Sequence, residues 1–206
     1  MKLKDKITEI EVDALREVAN IGAGNAMTAL SKLLNIRVNM NVVTVSIKDI
    51  SDIEKLYENE AVFVVANVIE IVGDMRAVLM LVLEEDCTKE LVYKVLGNYV
   101  NSMHDLDEME FSVLSEVGNI LAGNYLNAVG TFVELAINQS TPQVIIDMAH
   151  AILSIPLIEF CDENLDSIFI DTYFEDSTNS IKGNYLFMLD KETEQRIVNS
   201  VSKYYV

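Results

Sequence analysis

An acid, a carboxamide and a glycine recur in this chain at one fixed spacing. Glu17-Val-Ala-Asn20-Ile-Gly-Ala-Gly24-Asn25 lies over Glu116-Val-Gly-Asn119-Ile-Leu-Ala-Gly123-Asn124 at an offset of 99, with seven of nine positions identical. On a helix, positions i, i+4, i+7 and i+11 share one face. That stripe is Asp13, Glu17, Asn20 and Gly24 in the first copy, and Ser112, Glu116, Asn119 and Gly123 in the second. Each copy therefore offers a carboxylate and an uncharged group that both donates and accepts hydrogen bonds. Glycine inside a helix costs about 1 kcal/mol against alanine, so Gly22, Gly24, Gly118 and Gly123 need a reason. One is close approach of another protein's backbone beside an exposed Asn. The alternative is tight helix-on-sheet packing, which accounts for glycine but not for Glu and Asn recurring on the same side of both copies.

The elements that position these residues follow from periodicity and capping. Thr8 is an N-cap and Glu11 completes a capping box. Val12, Leu15, Ala19, Gly22, Ala26, Ala29, Leu30 and Leu33 recur at helical spacing to about Asn35. They lie opposite the Glu–Asn stripe, which is left to face water or a partner. Asp107, with Glu110 three residues on, caps the second copy, whose helix is expected to end near Gly130. Residues 36–47 alternate as a strand, 61–71 and 77–83 flank Gly73-Asp74 as a hairpin, and 86–96 form a short helix ending at Gly97. Residues 98–105, with His104, connect the halves. In the second half, 131–137 reads as a strand and 144–157, after the Ser140-Thr141-Pro142 break, as a helix. Residues 168–174 and 184–189 form another hairpin, and 191–203 a last helix. A second pairing, Arg76 to Glu84 over Lys182 to Asp190, extends the repeat. The chain reads as one domain over 1–206, built from a duplicated unit of about 8–98 and about 107–203. The expected fold is α+β with pseudo-two-fold symmetry: a mixed sheet carrying the two long repeated helices on one face.

Composition narrows the partners. The chain has 206 residues, half of them hydrophobic, with 33 acids against 15 bases and a net charge of −18; its mean hydropathy is +0.24. Such a chain buries a core and repels phosphate backbones and anionic lipid, so nucleic acid and membrane surfaces are poor partner candidates. Cys87 and Cys161 lack CxxC spacing, the start 1–6 lacks the apolar core of a signal peptide, and 61–83 is broken by Glu70, Asp74 and Arg76. A soluble, cytoplasmic protein is expected.

The spacing Asp/Ser-x3-Glu-x2-Asn-x22-Pro is the signature of a known family. Ser112, Glu116, Asn119 and Pro142 fit it in full; Asp13, Glu17 and Asn20 fit it with Val43 at the proline position. On these residues, and on the paired helices, the chain resembles the CheC/CheX/FliY family of chemotaxis phosphatases over nearly its whole length. The resemblance implies hydrolysis of the aspartyl phosphate on the response regulator CheY. Asn20 and Asn119 would orient the attacking water, and Glu17 and Glu116 would pair with a lysine beside the phosphoaspartate. Asp13, Ser112, Gly24, Gly123 and Pro142 would shape the docking surfaces. No cofactor of the chain's own is implied, because the regulator supplies Mg²⁺ and lysine to a reaction that rests on positioning and charge stabilisation. The resemblance also implies a monomer that binds the receptor deamidase CheD around Pro142-Gln-Val-Ile-Ile-Asp147-Met, with Asp147 as a contact. Asp147 reads equally as a helix-start charge.

Other signals point elsewhere only faintly. Gly22-Ala-Gly24-Asn-Ala-Met27 sits within a helical pattern and lacks the third glycine of a nucleotide-binding loop. His104 and His150 have no acidic or cysteine cluster at ligand spacing. Two alternatives to the phosphatase are a CheD-binding module with weak or no hydrolysis, and a FliY-like flagellar switch component. Against the second, no C-terminal switch-binding domain is expected after Val206.

Overall fold

A computed structural model describes residues 8–48, 62–160, 167–178 and 180–203; the segment 1–6, Ala61 and Cys161 lie outside the described residues. In chain order the elements are α1 (Glu9–Leu34), β1 (Val38–Lys48), β2 (Phe63–Gly73), β3 (Ala77–Glu84) and α2 (Glu85–Leu96). A 3-10 turn (Met103–Asp105) follows, then α3 (Glu108–Val133), β4 (Ile137–Gln139), β5 (Gln143–Met148), α4 (Ala149–Phe160), β6 (Ser167–Asp176), β7 (Lys182–Leu189) and α5 (Lys191–Ser202).

Both long helices start on the capping boxes expected of them. The Thr8 N–H donates to Glu11 Oε2 at 2.6 Å, which holds the Glu11 carboxyl below its ordinary value, and the Glu11 N–H returns a bond to Thr8 Oγ1. The Asp107 carboxylate accepts from the Met109 and Glu110 N–H groups while its own N–H donates to Glu110. Such caps are worth about 1 kcal/mol each, and here they fix where the Glu–Asn stripes begin. α1 ends on Asn35 and α3 on Glu134, both left-handed, with φ of 52° and 56°.

α3 thus runs three residues past Gly130. Thr131 to Val133, expected as strand, form its last turn, because buried Val133 continues the apolar face and overrides weak β-branched helix propensity. The helix expected over 144–157 is likewise corrected: Val144 to Met148 belong to β5, paired with β2, and the helix starts only at Ala149. A short apolar run suits a buried strand and a buried helix equally.

The sheet order is β1-β6-β7-β3-β2-β4, with β5 also paired to β2. At its centre β3 meets β7 in the register Ala77↔Leu189 through Leu83↔Gly183. These are the strands matched by the second sequence repeat. Outward from that pair lie their hairpin partners β2 and β6, and beyond them the first strands, exchanged: β1 beside β6, β4 and β5 beside β2. Every pairing among the described residues is antiparallel, in place of the mixed sheet expected. A two-fold axis normal to the sheet between β3 and β7 sets that central pair antiparallel, and the hairpins β2–β3 and β6–β7 are antiparallel by their short connections.

α1 and α3 lie side by side on one face with α2 and α5, over a core that includes Leu79, Leu81, Tyr185 and Phe187. α4 covers the other face through Ala149, Ile152 and Leu153. Tyr125 of α3 anchors the helix pair to the sheet, with ring centroids 5.3 Å from Tyr185 and 5.4 Å from Phe187. Burial pushes the hydroxyls of Tyr125 and Tyr185 up from the usual tyrosine range. Residues 62–83, weighed above as a membrane span, are the central hairpin, and no helix among the described residues is long and apolar enough to cross a membrane.

Candidate functional site

Burial of the apolar faces of α1 and α3 turns the opposite stripes outward. Asp13, Glu17, Ser112, Glu116 and Asn119 are exposed; Asn20, Gly24 and Gly123 are half-buried. Asp13 is held in an exposed ion pair with Arg16 at 2.6 Å. Among the described residues, Glu17 and Glu116 have neither an ion pair nor a hydrogen bond through their carboxylates. Their charge is free for a cation on another molecule.

Around the second stripe the fold adds a wall. Ser115, Glu116 and Asn119 of α3 face Gln139, Ser140, Thr141 and Pro142 across an open cleft of about 260 Å³. Gln139 Nε2 donates to Asn119 Oδ1 at 2.8 Å. The wall is a β-bulge: Gln139 pairs with Ile71 and Gln143 with Val68, so residues 140–142 stand against only 69 and 70. Ser140 secures it, since its N–H donates to the Glu70 carbonyl and its Oγ accepts the Glu70 N–H at 3.0 Å. Pro142 has no N–H to lose at such a position. It is buried and lies within this bulge.

The first half carries the same irregularity in the same place. β1 shifts register against β6 between Met40 and Val42, and Met40 and Val43 are the equivalents, at the offset of 99, of Gln139 and Pro142. The two stripes therefore share a frame but differ at the wall, where a donor amide in one half is replaced by a thioether in the other.

Two glycine environments separate here. A Cβ on Gly22 would lie 2.8 Å from the ring of Tyr125, and one on Gly118 would lie 2.5 Å from Asn67 Oδ1, so both are packing glycines. A Cβ on Gly24 or Gly123 would meet nothing within 4 Å. The glycines that recur in register are those with no packing role.

Of the residues singled out in the sequence, Glu116, Asn119 and Pro142 meet in one cleft, while Glu17 and Asn20 share the equivalent stripe of α1. Asp147 is exposed but belongs to neither stripe. It lies near the end of β5, opposite Val64, where its Oδ1 accepts the N–H of Met148. Gln139, Ser140, Thr141 and Ser115 were not singled out, because comparing the halves by identity discards positions where they differ. Asn25 and Asn124 did recur; their amides donate to the carbonyls of Ile21 and Ile120 at 2.8 and 2.7 Å, beside the open glycines.

Known proteins resemble this chain in sequence and in fold. Residues 10–46 match the CheC-like family and residues 65–160 the chemotaxis phosphatase CheX family. The chain is 31% identical over 192 residues to the CheY-P phosphatase CheC of Bacillus subtilis (strain 168), covering 92% of each. The chain belongs to the CheC/CheX/FliY family. It is also 28% identical over 140 residues to the flagellar motor switch phosphatase FliY of the same organism, across 68% of this chain but 36% of that one. In three dimensions this family member superposes on the crystal structure of Thermotoga maritima FliY with a TM-score of 0.73, covering 96% of this chain and 98% of that one at 20% identity. That likeness is one of fold.

Proposed function

We propose that this chemotaxis phosphatase hydrolyses the aspartyl phosphate of a CheY-type response regulator, and that it does so at both stripes. The observation that carries the reading is the exposed pair Glu116 and Asn119 at the lip of an open cleft, with the same residue pair, Glu17 exposed and Asn20 half-buried, on the equivalent stripe of α1. Docking lets a free carboxylate pair with the regulator's lysine in a partly desolvated interface, where charge-assisted bonds are strongest. The carboxamide then enters the regulator's acidic pocket. Its oxygen accepts a hydrogen bond from the attacking water, its N–H groups face the phosphoryl oxygens, and, being uncharged, it does not repel them. Because the regulator contributes Mg²⁺ and lysine, this chain supplies only alignment of the water. The test is phosphate release from a CheY-type regulator phosphorylated with acetyl phosphate. Addition of the chain is expected to accelerate release catalytically, and an unchanged rate at excess chain would end this reading.

The docking surface extends one step beyond the acid. Ile10 and Met109, equivalent at the offset of 99 and seven residues before each Glu, are 71% and 61% exposed. Single exposed apolar residues are ordinary, but the same placement twice on the stripe fits apolar anchors beside the docking charge. Replacing both with serine is expected to raise KM for the phosphorylated regulator about three- to tenfold, the worth of partly burying such side chains, with kcat unchanged. Steady-state kinetics decide it, and an unaltered KM removes the anchors.

A CheD-type partner is a second reading, favoured by one observation. β5 has no strand on its outer side among the described residues, and Asp147 is exposed near its end. Asp147→Ala is expected to weaken CheD binding about tenfold or more, as loss of a paired interface charge does, while leaving regulator hydrolysis intact. Titration calorimetry checks it, and equal affinity for the variant discards Asp147 as a contact.

A further inference from the structure

We infer that Gln139 is a positioning residue that fixes the orientation of the Asn119 amide and makes the second site the faster of the two. This rests on the function proposed above, and concerns what distinguishes its two sites.

An exposed asparagine on a helix is a poor tool for aligning a water. The terminal torsion of its amide is broad and roughly two-fold, so its oxygen and nitrogen exchange places freely unless something selects one. Asn119 is exposed, and the hydrogen bond from Gln139 Nε2 to its Oδ1, at 2.8 Å, makes that selection. The bond takes one of the two lone pairs of Oδ1. The other lone pair and both N–H groups of Nδ2 are left for the cleft: an acceptor for a hydrogen bond from the water, donors for phosphoryl oxygen. The donor must be a neutral amide. A carboxylate of the same length would accept from Nδ2 and turn the group around.

Gln139 can hold another side chain because its own backbone is held. It pairs with Ile71 as the last regular residue before the bulge, and the next residue, Ser140, exchanges two hydrogen bonds with Glu70. In the first half the last residue before the bulge is Met40, paired with Phe174 and packed against the core. A thioether has no proton to donate, and no hydrogen bond to the side chain of Asn20 is found among the described residues. The sites thus share the acid, the amide, the open glycine and the bulge, and differ in whether the amide is oriented beforehand.

The test uses the full chain carrying N20A, so that hydrolysis comes from the second site alone, with acetyl-phosphate-labelled CheY-type regulator as substrate. Met already occupies the equivalent position in β1, so Q139M is compatible with the bulged strand, and thermal unfolding verifies that it folds. Q139M is expected to lower kcat about five- to tenfold, the worth of one positioning hydrogen bond, with KM unchanged because Gln139 makes no docking charge. Q139E, equal in length but without the donor, is expected to lower kcat at least as far. The inference is overturned by a Q139M that keeps full kcat, by KM and kcat worsening together, or by a Q139E that retains activity, which would make the role one of shape. These outcomes are separate from failure of the functional reading, which would appear as hydrolysis surviving when both Asn20 and Asn119 are replaced.

Discussion

Replacing Asn20 and Asn119 together with alanine is expected to slow hydrolysis of the phosphorylated regulator about 100-fold or more, with KM and folding nearly unchanged. The size follows from the role. If the chain contributes alignment of one water, removing the group that aligns it forfeits most of its catalysis, and misplacement of about 1 Å is already worth about 100-fold. Folding survives because both side chains lie on the outward stripe and Asn119 is bonded only to Gln139 among the described residues; alanine is also the better helix former. KM survives because Glu17 and Glu116 still dock. Each single change is expected to leave the other site working, and N119A to remove the larger share, since among the described residues Asn119 has a side-chain hydrogen bond to its wall and Asn20 has none. Steady-state kinetics on the three variants decide the matter. A double variant at full rate would leave the carboxamides without a role, and loss of all activity on N20A alone would contradict two independent sites.

Much of the scaffold for these sites was legible because it rests on local chemistry. The Thr8–Glu11 and Asp107–Glu110 boxes, the left-handed Gly97 closing α2, and the hairpins through Gly73-Asp74 and into β7 need only residues close in sequence. The outward placement of Glu17 and Asn119 followed from the apolar periodicity of their helices. What was misread was the stretch from Thr131 to Met148, where local signals conflict. Thr131 to Val133 are poor helix formers in a helix, and Val144 to Met148 run into apolar α4 without a break. The repeat itself held the answer. Carrying the offset of 99 past the motif puts Leu34 on Val133 and Asn35 on Glu134, the last helical residues and their left-handed caps. It also puts Val38–Lys48 onto 137–147, the span of β4 and β5. Similarity between the halves is strong in residue identity at the motif and survives at the strand only as a shared register.

Strand exchange between halves was beyond any local signal. Nothing in 36–48 says that β1 pairs with β6 of the other half instead of β2 of its own. The same holds for Gln139. Its neighbour Asn119 lies 20 residues away, and its counterpart is Met40, so a search for identity passes over the position where the halves were free to diverge. Identity between the halves marks what they share, and the position where they differ has to be found from the fold.

Substituting alanine at Gly24 and Gly123 is expected to move stability and activity in opposite directions. A Cβ at either position meets nothing within 4 Å, so alanine gains helix propensity with no steric penalty, about 1 kcal/mol at each site. Together these would raise the melting temperature by about 4 to 8 °C for a chain of this size. Sites with such an inexpensive improvement, left as glycine on both stripes, are explained if a partner's backbone must come within reach of each Asn and a methyl group would hold it off. KM for the phosphorylated regulator is therefore expected to rise about tenfold, the loss of roughly 1.4 kcal/mol of binding, while the protein becomes harder to melt. Gly22 and Gly118 give the opposite sign and serve as the control. Alanine there presses on the buried ring of Tyr125 or on the Asn67 side chain, and overpacking of that kind costs about 1 to 3 kcal/mol. Thermal unfolding and steady-state kinetics on the two pairs of variants separate the explanations. If G24A/G123A stabilises the chain and leaves KM where it was, the open glycines have nothing to do with docking. If it destabilises the chain, they are packing residues after all.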